Sequence, residues 1–264
     1  MKTLDAKEAK ENLSFFTKRS EKFALMKLSG EFYSKEYAQT IASDMKYLID
    51  LNLYPVLCIG AGIILDDMTK SDNREIKKKN GIRISDERDI HNLNKAMNLY
   101  VDLLNEYFDK YNVPSKYLPS CINAQVQPEY GLVGKVTQID MPQITDAVKS
   151  SKIPIIGCLS KNGLNINADH VLSYLVKELK PQKLIIFTKT GGIHDKHGNL
   201  VRKATLEELE TMVAEGIINN GMALKVSAMK DVVQYVKAVQ LTSPENILEE
   251  LFTHFGNGTY IKGN

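Results

Sequence analysis

Cysteine is too scarce and too scattered here to build a stapled scaffold. Cys58, Cys121 and Cys158 are odd in number and widely spaced, with no Cys-x-x-Cys pair, which argues against a disulfide framework and a zinc site. His91, His170, His194, His197 and His254 show no metal-ligand spacing either; they are expected at the surface or in packing, and no dedicated metal site is expected. Long apolar runs are missing: neither the first residues, Met1-Lys2-Thr3-Leu4-Asp5-Ala6-Lys7-Glu8, nor any later stretch reaches the length of a signal-peptide core or a membrane span. Excess charge of one sign is missing too. With 34 Lys and Arg against 32 Asp and Glu, the net charge of +2 gives no reason to expect nucleic acid as a partner. The expectation is a soluble protein of the reducing cytoplasm, with the three cysteines in its core and a small charged metabolite as its ligand.

Two familiar phosphate-binding signatures are also absent. The chain contains no Gly-x-x-x-x-Gly-Lys-Ser/Thr loop and no Gly-x-Gly-x-x-Gly fingerprint. What it does contain is 264 residues of ordinary globular composition, 43% hydrophobic and 25% charged, enough for one large α/β domain or two closely joined lobes.

Periodicity supplies the elements. Residues 5–20 read as a helix with Asp5 as a candidate N-cap and a short apolar face of Leu13, Phe15 and Phe16 that needs a cover. Residues 23–29 read as a strand, 35–51 as a helix and 54–60 as a second strand, a βαβ unit with glycines at both strand ends. Residues 86–111 carry Ile90, Leu93, Ala96, Met97, Tyr100, Val101, Leu104 and Tyr107 at helical spacing, the pattern of one long amphipathic helix. The helical period vanishes between 117 and 140, where Pro128, Gly131 and Gly134 lie among β-branched residues, so a hairpin lid is expected there. Strands at 153–158, 183–188 and 238–241 then alternate with helices at 168–179, 205–217, 222–236 and 244–252. This alternation predicts an α/β fold, a three-layer sandwich around a mostly parallel sheet, with a lobe boundary between residues 159 and 182.

Three strand exits carry small residues: Lys27-Leu28-Ser29-Gly30, Gly60-Ala61-Gly62 and Thr188-Lys189-Thr190-Gly191-Gly192. Ligands of open α/β sheets sit at the carboxyl ends of strands, where backbone N–H groups and helix N-termini face an anion. The three loops are therefore expected to converge on one crevice. Lys27 ends the apolar run Phe23-Ala24-Leu25-Met26, and Lys225 lies in the apolar segment Gly221-Met222-Ala223-Leu224-Lys225-Val226. A cation that ends a buried strand is costly unless an anion answers it, which makes both lysines candidates for holding phosphate. The plainer readings are lysines that reach water, Asp169 as a helix N-cap, Asn165 and Asn167 as turn residues, and Arg83 as a surface cation.

Five further segments carry a resemblance: Gly131-Leu132-Val133-Gly134-Lys135-Val136, Leu164-Asn165-Ile166-Asn167-Ala168-Asp169, the strand exit at 188–195, residues 221–226, and Leu251-Phe252-Thr253 leading to Gly256-Asn257-Gly258-Thr259. In this order they resemble the amino acid kinase family over nearly the whole chain, and within it the N-acetylglutamate kinases, closest to the kinase-like domain of bifunctional synthase/kinases. The resemblance implies one kinase domain over residues 1–264, with an N-terminal helix (1–20), an acyl-amino-acid-binding lobe (21–165) and a nucleotide-binding lobe (166–264). It implies ATP-dependent phosphorylation of the side-chain carboxylate of N-acetyl-L-glutamate in arginine biosynthesis, with Mg²⁺ arriving on ATP, and a homo-oligomer in solution.

Carried over by motif position, Lys27 and Lys225 would contact phosphate oxygens and Asp169 would hold both ammonium groups. The N–H groups of Gly30, Gly60 and Gly62 would cradle the terminal phosphate and the attacked region, with Ala61 between the last two. Arg83 would pair with the substrate's α-carboxylate and Asn165 would orient the acetylated substrate. Thr188, Lys189, Gly191 and Gly192 would border the nucleotide. Residues 250–258, with Glu250 and Gly256, resemble the family's arginine-binding end, so arginine as effector is a further implication. Ser29, Ile59 and Ala61 depart from the family's usual glycines and histidine, and the added Cβ atoms are expected to limit backbone approach to phosphate. Two other readings stay open: an arginine-sensing domain with little or no catalysis, and a kinase for a related acylated amino acid.

Overall fold

The structure, a computed structural model, describes residues 22–79 and 81–263. The expected helix over residues 5–20 and its apolar face lie outside the described residues. In chain order, β1 (Ala24–Leu28) is followed by α1 (Lys35–Asp50), β2 (Val56–Ile59), α2 (Gly62–Ser71) and a small hairpin of β3 (Lys78–Lys79) and β4 (Ile82–Arg83). Next come α3 (Glu87–Lys110), β5 (Ser115–Tyr117), β6 (Ile122–Val126), β7 (Gly134–Ile139), α4 (Met141–Lys149), β8 (Ile153–Ile156) and α5 (Ala168–Leu179). The chain ends with β9 (Lys183–Phe187), β10 (Lys203–Ala204), α6 (Leu206–Ala214), α7 (Asn220–Met229), β11 (Ala238–Thr242), α8 (Ile247–Phe252) and β12 (Thr259–Lys262).

Contacts divide the chain into two compact units. The first comprises the residues up to Met26, Tyr47–Pro55 and Val176–Asn264; the second comprises Lys27–Lys46 and Val56–Leu175. The division falls after Leu175, and residues 47–55, between most of α1 and β2, group with the C-terminal residues. β1 starts in the first unit and ends in the second.

Strands of the second unit run in the order β1-β2-β8-β5, with β2 and β5 both parallel to β8. Every residue of β1, β2 and β8 is buried, as expected of parallel strands covered on both faces. The long helix α3 covers this core with Leu93, Ala96, Met97, Tyr100, Val101, Leu104 and Phe108, one apolar stripe at helical spacing. Its start is fixed by a capping box in which the Asp86 carboxylate accepts from the Asp89 N–H and the Asp89 carboxylate from the Asp86 N–H. The segment read as a hairpin is the antiparallel pair β6 and β7.

In the first unit the order is β10-β12-β11-β9-β1. β9 and β11 are parallel, while β12 returns antiparallel to β11. Mostly parallel strands flanked by helices make this the α/β fold that the alternation predicts. Among the described residues no helix is long and apolar enough to cross a membrane, and Cys58, Cys121 and Cys158 are buried and free.

The structure also departs from the sequence reading. α2 and α4 arise where no helix was expected. α4 is started by the Asp140 carboxylate, which accepts from the Gln143 N–H, and by Pro142 in its first turn. The expected helix over 222–236 ends at Met229 and gives way to a 3-10 turn at Val233–Tyr235. Lys225 sits inside helix α7, within the expected helix, so the strand-end argument applies to Lys27 and not to Lys225.

Candidate active site

Lys27 stands at the carboxyl end of β1 with only 6% of its surface exposed. Its ammonium donates to the Asp169 carboxylate, 142 residues away in sequence. Asp169 lies in the first turn of α5, where a negative side chain is favoured by the helix dipole. Its own N–H donates to Asn167 Oδ1 at 2.8 Å, so Asn167 supplies the local cap and leaves the Asp169 carboxylate for the lysine. The pair is buried on the lysine side and partly open at Asp169, whose side chain is 33% exposed, and it compensates a lysine charge that burial would otherwise penalise.

Around this pair the same unit gathers two of the three glycine exits. The Gly60 N–H donates to the Leu28 carbonyl at 2.8 Å, which closes the β2 exit against β1. A Cβ on Gly60 would stand 3.1 Å from the Ala168 Cβ, and one on Gly30 would stand 3.3 Å from the Ile63 nitrogen. Both approaches are closer than most Cβ contacts, so glycine at these positions lets the β1 exit, the β2 exit and the start of α5 come together without a shift of their neighbours. Gly62 opens α2 with free space around its Cα, so the first N–H groups of this helix are available to an anion.

Ser29 and Ala61 adopt backbone conformations open to any residue. Ser29 is extended at φ −85° and ψ 166°, and Ala61 has φ −104°, so neither needs glycine's left-handed freedom. The Ser29 hydroxyl donates to Glu31 Oε2 at 3.2 Å, and the Tyr100 hydroxyl donates to the Ser29 carbonyl at 3.1 Å. Ile59 is a buried strand residue. Burial pushes the neighbouring Cys58 thiol up to about 12, against the pull of the Lys27 charge, so that thiol stays protonated.

Arg83 is not a simple surface cation. Its guanidinium donates to Asp66 of α2 and, at 3.5 Å, to the Thr69 hydroxyl, while the Asp89 carboxylate stands 3.7 Å away. Burial lowers its pKa and Asp89 raises it. Asn165 is held as firmly: its side-chain amide donates to the Ser85 hydroxyl at 3.0 Å, its carbonyl accepts from the Gly134 N–H at 2.9 Å, and its N–H donates to the Leu132 carbonyl at 3.0 Å. Ser85 ties these pieces together. It follows Arg83 by two residues, is 2% exposed, and its carbonyl accepts from the Leu132 N–H at 2.7 Å. Neither Ser85 nor Asp66 carries a signal that sequence reasoning could have used, since both depend on contacts made only on folding.

The third glycine exit lies in the first unit. Thr188 is buried and its N–H donates to the Thr242 carbonyl at 2.7 Å. The turn after it is tight: the Gly191 N–H returns to the Thr188 carbonyl at 3.1 Å, Gly191 has φ 69°, and Lys189 points to solvent. A Cβ on Gly192 would stand 2.6 Å from Leu200 Cδ1. Lys225 is half-buried in α7 and makes no ion pair among the described residues; the carboxylate that holds Lys27 belongs to the second unit.

Glu250 and Gly256 form an internal brace. Glu250 is fully buried, and its Oε1 accepts from the N–H groups of Asn257 at 2.9 Å and Gly258 at 2.7 Å. Gly256 has φ 61°, and a Cβ there would collide with the Glu250 carboxylate. Lys183 donates to the carbonyls of Glu250 and, at 2.8 Å, Thr253, closing the end of α8.

The pattern that defines the amino acid kinase family matches residues 22–240. The chain belongs to this family. Among curated relatives, this amino acid kinase is 29% identical to an acetylglutamate kinase of Xanthomonas campestris over 97% of its own length and 63% of the relative's. It is 28% identical to the mitochondrial protein arg-6 of Neurospora crassa over 97% of its length but only 31% of that protein's. An acetylglutamate kinase of Neisseria gonorrhoeae is 26% identical, with 96% and 93% covered. The chain thus spans less than two thirds of the length of the first two relatives. Among solved structures, N-acetylglutamate synthase from Neisseria gonorrhoeae, complexed with coenzyme A and N-acetyl-glutamate, shares the fold at TM-score 0.83 and 18% identity, over 98% of this chain and 64% of that one. Giardia carbamate kinase shares it at TM-score 0.67 and 14% identity, with 92% and 99% covered.

Proposed function

We propose that this amino acid kinase transfers the terminal phosphoryl group of ATP to the side-chain carboxylate of N-acetyl-L-glutamate, a step of arginine biosynthesis. The observation that carries the reading is the pair of buried Lys27 with half-buried Asp169 at the exit of β1, bordered by Gly30, Gly60 and the open start of α2. The relatives named acetylglutamate kinase support the choice of acceptor.

The chemistry asks little of the protein beyond position and charge. A carboxylate acceptor with a reference pKa of about 4.3 is ionised at neutral pH, so no general base is required. Phosphoryl transfer needs the reactants aligned and the charge on the transferring group compensated. Lys27 supplies that charge on a side chain held by Asp169. N–H groups at Gly30, Gly60 and the start of α2 bind phosphate or carboxylate oxygens. Arg83 exchanges part of its pairing with Asp66 for the substrate's α-carboxylate, a bidentate use that a lysine could not match. Asn165, held by Ser85, orients the acetylated end. In the first unit, Thr188, Lys189, Gly191, Gly192 and Lys225 contact the nucleotide. Mg²⁺ enters on the nucleotide phosphates; among the described residues no cluster of three or more His, Cys, Asp or Glu could form a cage for it.

A coupled assay tests the reading. ADP release should require both ATP and N-acetyl-L-glutamate, and should exceed that with glutamate or with other acylated amino acids. A folded preparation with no turnover at saturating substrates would overturn it.

A further inference from the structure

Tyr100 of α3 is completely buried, with 0% of its surface exposed, and its hydroxyl is not idle. It donates to the Ser29 carbonyl at 3.1 Å, 71 residues away in sequence. That carbonyl also accepts from the Phe32 N–H at 3.1 Å, and the Gly30 carbonyl accepts from the Tyr33 N–H at 3.2 Å, so Gly30–Phe32 forms one 3-10 turn. The Tyr33 ring meets the Tyr100 ring edge-on, with 5.6 Å between centroids. Tyr100 therefore grips this turn at its entry through the hydroxyl and at its end through the ring. Burial holds the Tyr100 phenol above its ordinary range, so the hydroxyl remains a donor. All of these residues belong to the second unit.

The consequence lies on the other edge of the Ser29–Gly30 peptide. A trans peptide is planar with its C=O and N–H on opposite edges, so a carbonyl fixed toward α3 sets the Gly30 N–H away from it. Gly30 is buried, and among the described residues its N–H has no backbone acceptor. Buried N–H groups are nearly always paired, so an idle one just beyond Lys27 calls for a ligand atom or ordered solvent. Gly30 also adjoins the start of α2, where a Cβ on it would stand 3.3 Å from the Ile63 nitrogen. The N–H groups of Gly62 and Ile63 likewise have no backbone acceptor among the described residues, as the first turn of a helix leaves them.

We propose that Tyr100 is a positioning residue for the phosphate: through the Ser29 carbonyl it orients the Ser29–Gly30 peptide so that the Gly30 N–H stands ready for a phosphate oxygen beside the start of α2. Resting on the phosphotransfer reading, this adds to it a residue that never touches substrate. A buried hydroxyl costs desolvation that a phenylalanine at the same place avoids, and a donor fixed in advance needs no reordering when the anion arrives. Without the hydroxyl the carbonyl keeps only the Phe32 N–H, and the peptide gains freedom to rotate about its flanking torsions.

The test compares wild type with Tyr100→Phe, which keeps the ring and its contact with Tyr33 and loses only the hydroxyl; Tyr100→Leu takes its place if the first variant shows no melting transition. The Gly30 amide resonance of the ¹⁵N-glycine-labelled full chain, assigned by its loss in Gly30→Ala, is followed during titration with inorganic phosphate. The expected result is a saturable shift in wild type and an affinity about tenfold weaker in the variant. In the coupled assay kcat/KM for ATP should fall about tenfold, while KM for N-acetyl-L-glutamate stays within about twofold. A Gly30 resonance that phosphate does not move in wild type, or moves with equal affinity in both proteins, overturns the proposal. So does a kcat/KM for ATP equal to that of wild type, or an equal loss for both substrates, which marks a merely structural role. A wild type that binds phosphate at Gly30 but turns over no ATP overturns the phosphotransfer reading instead, and the titration alone then decides the part played by Tyr100.

Discussion

Ser85 holds Asn165, the side chain proposed above to orient the acetylated substrate, through one buried hydroxyl. Its Oγ accepts from the Asn165 amide at 3.0 Å, and replacing it with alanine removes one buried hydrogen bond, worth about 1 kcal/mol. Ser85→Ala should therefore raise KM for N-acetyl-L-glutamate roughly five- to tenfold, with kcat and KM for ATP nearly unchanged, and Ser85→Thr should restore most of the loss. Equal effects on both substrates would instead mean a general loss of structure. Glu250 gives a second residue-scale prediction. Burial raises its pKa above the reference of 4.5, opposed by the N–H groups of Asn257 and Gly258 and by the Lys183 charge. The folded protein then keeps a proton that the unfolded chain releases, so stability falls as pH rises from the unfolded pKa through the folded one. Glu250→Gln keeps the Oε1 acceptor without the charge, and its melting temperature relative to wild type should be more favourable at about pH 8 than at about pH 5. A difference that does not vary with pH would contradict this.

At the scale of elements, the hairpin motif at 131–134 depends on glycine for two separate reasons. Gly131 has φ 74°, and a Cβ there would overlap the Ser85 carbonyl oxygen; a Cβ on Gly134 would stand 2.9 Å from the Ala124 Cβ and 3.0 Å from Leu164. Gly131→Ala should lower unfolding free energy by at least about 2 kcal/mol, measured by denaturant titration. Elements were legible wherever periodicity was strong. The apolar stripe of α3 and the buried runs of β1, β8 and β9 announce themselves because packing against a core selects every residue on a face. α2 was hidden because its opening glycines read as a loop, and α4 because its signal is the Asp140 and Pro142 start rather than a long stripe. β5, β10 and β12 are two to four residues long, too short for alternation to register. Lys27 and Asp169 were legible as candidates, and their pairing across 142 residues was implied only by the family resemblance; that of Arg83 with Asp66 is a product of topology that no local pattern encodes.

For the whole molecule, the claim is that burial and pairing of Lys27 serve chemistry rather than stability. A buried ion pair is weak evidence for stability, since apolar replacements are often tolerated; its retention at a strand exit beside glycines and an open helix start fits an anion-handling role. Family membership sets the fold and narrows the reaction class, while the site residues carry the remaining proposal. The decisive measurement is the kcat for ATP- and N-acetyl-L-glutamate-dependent ADP release in wild type and Lys27→Ala, each shown to be folded by its melting transition. The account predicts turnover by wild type and a loss of at least about 10²- to 10³-fold in Lys27→Ala. A folded Lys27→Ala protein that turns over like wild type would contradict it.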